Sequence, residues 1–159
     1  MFEKYGEFDS AEELNVAAAT ALEQGDTDAV IALAKENGIE EEDARDYIEA
    51  FTSELCTPLM AAIGKLSIER KAIDLPTFMD GWVSLINDML ADNTELTAAV
   101  RKKGKKLTDL LGKLMGISSK NRKKVPDAIV KAAGMSGNVF VGDVDVITFK
   151  QTVIDFYTK

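Results

Sequence analysis

The chain has 159 residues, 46% of them hydrophobic, with 27 acids against 19 bases and no histidine. That composition supports a packed core and argues against global disorder. Without histidine, Ser-His-Asp and Cys-His catalysis and histidine-based zinc sites are excluded, and the single cysteine, Cys56, excludes an internal disulfide and a thiolate zinc cluster.

Charge is unevenly placed. Residues 1–100 carry 22 acids against 6 bases, a formal −16, and residues 101–159 carry 5 acids against 13 bases, a formal +8. Such asymmetry acts on partners and association rates rather than on the choice of fold. The early acids Glu3, Glu7, Asp9, Glu12 and Glu13 interrupt any signal-peptide apolar stretch, and charge-free runs such as Leu55–Gly64 fall far short of the roughly 20 residues a membrane helix needs. A soluble, cytoplasmic, membrane-free protein is expected.

The elements read as helices almost throughout. Ser10-x-x-Glu13 is a capping box, followed by Leu14, Ala17, Ala18, Ala21 and Leu22 at helical spacing until Gly25. Asp26 caps a second helix with Val30, Leu33 and Ala34 inward, closed by Asn37-Gly38. A third starts near Glu41, with Ala44, Tyr47, Ile48, Phe51 and Leu55 on one face. Thr57-Pro58 opens a fourth, which carries Leu59, Ala62, Ile63 and Leu66. Cys56, among Leu55, Pro58 and Leu59, reads as a small core residue.

Past the break at Leu75-Pro76, Thr77 is expected to cap a fifth helix with Phe78, Trp82, Leu85, Ile86 and Met89 inward. Asn93 caps a short sixth with Leu96, Ala99 and Val100, ended by Gly104. The seventh carries Leu107, Leu110, Leu111, Leu114 and Met115 and is expected to close at Gly116. Ser118–Val125 is polar and basic, and Pro126 starts a short helix through Ile129 and Val130. Asn138–Gly142 is too short and β-branched for a helix and reads as a single strand or an extended arm, whose pairing partner could lie in another subunit. Asp145 caps a last helix with Val146, Phe149, Val153 and Phe156 on one face.

The expected fold is therefore all-α, a compact bundle of about seven to nine helices with a short extended element near 138–142. One domain over 1–159 is expected, and the charge pattern offers a subdivision into acidic 1–92 and basic 93–159.

Two clusters are candidate binding residues. Glu40, Glu41, Glu42, Asp43, Asp46 and Glu49 crowd the start of the third helix, where acids also suit the positive end of the helix dipole. They form either a solvated face or a docking surface for a basic cleft. Arg101, Lys102, Lys103, Lys105, Lys106, Arg122, Lys123 and Lys124 are the candidate nucleic-acid contacts, with a solvated face, or pairing against the acidic half inside one chain or across a homodimer, as the alternatives. No aromatic residue lies in 95–125, so a stacking platform is not expected there. Asp143-x-Asp145 is explained by the helix cap rather than by a cation. With no Walker-type or dinucleotide-type glycine pattern, neither an enzyme nor a cofactor is expected.

Three stretches carry a family resemblance: Phe8-Asp-Ser-Ala-Glu-Glu-Leu-Asn15, Tyr47 through Lys65 with Thr57-Pro-Leu-Met-Ala-Ala-Ile-Gly-Lys65, and Ala99-Val-Arg-Lys-Lys-Gly-Lys-Lys-Leu107. Together they resemble small proteins of Firmicutes plasmids, phages and conjugative elements, some grouped with inhibitors of the Cas9 nuclease (anti-CRISPR proteins). The resemblance implies a non-enzymatic protein that binds Cas9, alone or with its guide RNA, and prevents DNA binding or cleavage. The alternative drawn from the residues is a nucleic-acid-associated accessory protein of conjugation or replication that uses the basic segment 101–124.

Overall fold

The computed structural model describes residues 2–159. Among them the protein is all-α apart from one two-stranded ribbon, and it forms two compact units. The first runs to Leu107 and includes Tyr157–Lys159; the second is Thr108–Phe156. The division therefore does not fall at the charge step near residue 92. The short helix after that step packs on two acidic-half helices and belongs with them.

The first unit holds α1 (Ala11–Glu23), α2 (Thr27–Glu36), α3 (Glu41–Ile48), α4 (Pro58–Lys71), α5 (Thr77–Ala91) and α6 (Thr94–Arg101). Four start where their capping side chains put them: Ser10, Asp26, Thr57 and Asn93 each accept a backbone N–H three residues on. Glu13 completes the first cap by accepting the Asp9 N–H at 2.9 Å. Thr77 caps nothing; Pro76 holds the cap position of α5 and Thr77 is its first helical residue.

Helix α4 lies at the centre, against α1, α5 and α6, and buries Ala61, Ala62, Gly64, Lys65, Leu66 and Glu69. A second cluster joins α1, α2 and α3 through Leu14, Ala18, Val30, Leu33, Ala44 and Tyr47. Asn15 ties Cys56 to α1, donating to its carbonyl and accepting its N–H, both at 3.0 Å. The Glu36 carboxylate accepts the N–H groups of Lys4, Tyr5 and Gly6, which fastens the N-terminal segment to the end of α2.

Two helical faces depart from the periodic reading. Helix α3 stops at Ile48, so Phe51 is not on its inner face but 74% exposed, while Leu55 is buried from the following loop. The stop is made by Ala50, which adopts φ +61; the Ala50 N–H reaches Tyr47 O and the Phe51 N–H reaches Asp46 O. Helix α5 buries Val83, Ile86 and Leu90, one step around from the expected face, leaving Phe78 and Leu85 exposed. Phe78 and Trp82 instead pack edge to face on each other, ring centres 5.4 Å apart.

The second unit comprises most of α7 (Leu107–Lys120), β1 (Lys123–Lys124), α8 (Asp127–Ala132), β2 (Phe140–Val141) and most of α9 (Val146–Thr158). Gly116 does not end α7; a helical glycine costs about 1 kcal/mol, which four buried leucines along the helix outweigh. The extended element finds its partner within the chain: β2 pairs antiparallel with β1, Lys123 opposite Val141 and Lys124 opposite Phe140. Gly142 sits against the Ser118 carbonyl with no room for a side chain. Asp145 caps α9, accepting from the Thr148 N–H at 3.0 Å and its hydroxyl at 2.6 Å. Phe149, Val153 and Phe156 are buried as expected, whereas Val146 is exposed.

Candidate binding surfaces

The acidic candidates sit around α3. Glu40 is its N-cap residue with no side-chain cap bond, and Glu49 is its C-cap. Glu42 and Asp46 lie one turn apart, and Glu49 continues their stripe at helical spacing. Glu41 differs from the rest. Lys35 and Arg45 both pair with it, and their hydrogen bonds hold its carboxyl below the ordinary carboxylate range. Among the described residues Glu40, Glu42, Asp43, Asp46 and Glu49 make no ion pair. Glu40, Glu42 and Glu49 are exposed and Asp43 and Asp46 half-buried, and the exposed Phe51 follows Glu49 by two residues.

The first basic group, 101–106, is partly engaged by the acidic body. Arg101 is 1% exposed and donates to Asn37 Oδ1 at 2.6 Å, so it is not a surface contact for phosphate. Its Nε and Nη1 have no hydrogen-bond partner among the described residues, and burial pushes its pKa down against the opposing field of Glu7. The Lys103 N–H donates to Asp9 at 2.7 Å, and its ammonium lies 3.9 Å from Asp9 and 3.8 Å from Glu13. The Lys102 carbonyl accepts from the Lys65 ammonium. Of this group, Lys102, Lys103 and Lys106 keep exposed side chains and Lys105 is half-buried. The physical cause is the acidic body: carboxylates brought beside this turn by the fold use its N–H groups and cations as partners.

Sequence reasoning did not single out the polar residues that organise this turn. Lys65, fully buried on α4, pairs with Glu7 at 2.7 Å and faces Glu69 at 4.0 Å. Glu69 in turn accepts the Leu107 N–H at 2.7 Å, and burial raises its pKa. A signal was present: residues 62, 65, 66 and 69 fall at i, i+3, i+4 and i+7, which places Lys65 and Glu69 on the face of buried Ala62 and Leu66.

Arg122, Lys123 and Lys124 are in the second unit, all exposed on or beside β1. The ribbon brings Phe140 into their company, with the Arg122 guanidinium carbon 5.8 Å from its ring centre. No helix among the described residues is long and apolar enough to cross a membrane. No protein-family model, curated protein or solved structure matches the chain.

Proposed function

We propose that this protein is a non-enzymatic inhibitor from a phage, plasmid or conjugative element, binding Cas9 with or without guide RNA and blocking DNA binding or cleavage. The observation that carries the reading is the acidic edge of α3, with Glu40, Glu42, Asp46 and Glu49 exposed or half-exposed and the exposed Phe51 just past the helix. Cas9-type enzymes hold nucleic acid in positively charged channels. An acidic helix steers toward such a channel at a rate that falls with salt, and an exposed aromatic beside it supplies an apolar anchor. The three sequence stretches that resemble mobile-element inhibitors support the choice of partner.

The test is a pull-down on Cas9 with and without guide RNA, followed by a cleavage assay on the same samples. Stoichiometric suppression of guided cleavage is expected. Neutralising Glu40, Glu42 and Glu49 to Gln with Asp43 and Asp46 to Asn should weaken it at least 10-fold. Failure to bind either form of Cas9 sinks the reading. A second reading, a nucleic-acid-associated accessory protein, is favoured by the exposed Arg122, Lys123 and Lys124.

A further inference from the structure

The β1–β2 ribbon has two faces of different character. Directly opposed residues of an antiparallel pair share a face, so Lys124 and Phe140 point the same way. Arg122, two residues before Lys124, joins them, and its guanidinium stacks toward the Phe140 ring at 5.8 Å. Continuing the register, the position opposite Arg122 is Gly142, which adds no side chain next to the ring on that side. Phe140 remains 50% exposed. Lys123 adds a cation at the ribbon's edge, on the other face with Val141.

Lys124 also borders a cleft of about 380 Å³ in the same unit. Lys131, Ser136 and Asn138 contribute polar groups to its wall and Met135 an apolar one. Asp127 is there too and pairs with Lys124 at 3.0 Å, the one acid in an otherwise cationic and neutral lining. An exposed ring on one face with a guanidinium and an ammonium, the ammonium belonging to Lys124 at the border of a cleft with amide, hydroxyl and ammonium donors, matches the chemistry of a nucleobase followed by its phosphate.

We propose that the second unit binds single-stranded nucleic acid, with a base stacked on Phe140 and phosphates met by Arg122 and Lys124 on the same face and by Lys131 in the neighbouring cleft. The single strand is favoured over a duplex because only an unpaired base offers its face to the ring. This site is separate in the chain from the acidic edge of α3 and does not depend on the Cas9 reading.

Fluorescence anisotropy with labelled oligo-dT and oligo-U of about a dozen nucleotides tests it on the full-length protein. Binding is expected with a log–log salt slope of about −2, as three phosphate contacts on a single strand require. Phe140→Leu keeps an apolar side chain and should lower affinity about 10-fold or more, while Phe140→Trp should retain it. Arg122→Glu with Lys124→Glu should abolish it, and Lys102→Glu with Lys106→Glu, on the first unit, should change it less than about 3-fold. Tighter binding of one homopolymer identifies DNA or RNA as the source of the base. Tighter binding of a duplex overturns the proposal, as does equal affinity of the Phe140→Leu and wild-type proteins. Absence of oligonucleotide binding at low salt also overturns it, and leaves an acidic protein surface as the ribbon's occupant. Cas9 inhibition is read separately and should be unchanged by Phe140→Leu, so the two proposals fail independently.

Discussion

Gly64 of α4 lies directly against Gly38, the left-handed residue that closes α2, with no side chain between the two backbones. A methyl group on either would meet backbone of the other segment, which has no flexible end to move aside. Gly64→Ala should therefore cost at least about 1–3 kcal/mol in urea unfolding. Gly38→Ala should cost more, since φ +74 adds about 1–2 kcal/mol for an L-residue. Gly81→Ala on α5, where a Cβ meets nothing, should instead stabilise by up to about 1 kcal/mol. Equal effects at the three sites would refute the close approach.

Ala50 ends α3 in the conformation that Gly38 uses to end α2, with the same pair of closing hydrogen bonds. Its methyl is strained at φ +61, so Ala50→Gly should raise stability, by up to about 1 kcal/mol once the extra freedom of glycine in the unfolded chain is subtracted. Thermal melts of the two proteins decide it; a lower melting temperature for Ala50→Gly would contradict the strained cap.

Burial is the main force on the Glu69 carboxyl, raising its pKa, while the Leu107 N–H and Lys65 pull it down. A carboxyl with its folded pKa above its unfolded one adds stability below the unfolded pKa, and that contribution is lost as pH rises through the folded pKa. The stability of wild type relative to Glu69→Gln should thus improve as pH falls from about 7 to about 4. Urea unfolding at both pH values measures this, and a difference independent of pH would exclude a raised carboxyl.

Cys56 is 2% exposed, and burial pushes its thiol up to about 12. The native protein should leave an aromatic disulfide reagent unreacted at neutral pH and release one equivalent of thiolate only on unfolding. Rapid stoichiometric reaction of the folded protein would show that the Asn15–Cys56 contact opens readily.

Local chemistry made much of this fold legible. The caps at Ser10, Asp26, Thr57, Asn93 and Asp145 were readable because a capping side chain acts on N–H groups within one turn. The acidic edge of α3 was readable for the same reason, since its residues are neighbours in sequence. The inner face of α5 was not, because Phe78, Leu85, Val83 and Leu90 are all apolar and only packing chooses among them.

The sequence by itself determined the helical class, most helix starts and the existence of an acidic and a basic region. Only the tertiary structure decided which partners the basic residues take. It buried Arg101 on Asn37, 64 residues away, and set Lys103 on Asp9, 94 residues away. The pairing of β1 with β2 placed Phe140 beside Arg122. Charge and helical periodicity are properties of short windows, whereas the partner of a buried cation or an exposed ring is selected by which helices and strands close on each other.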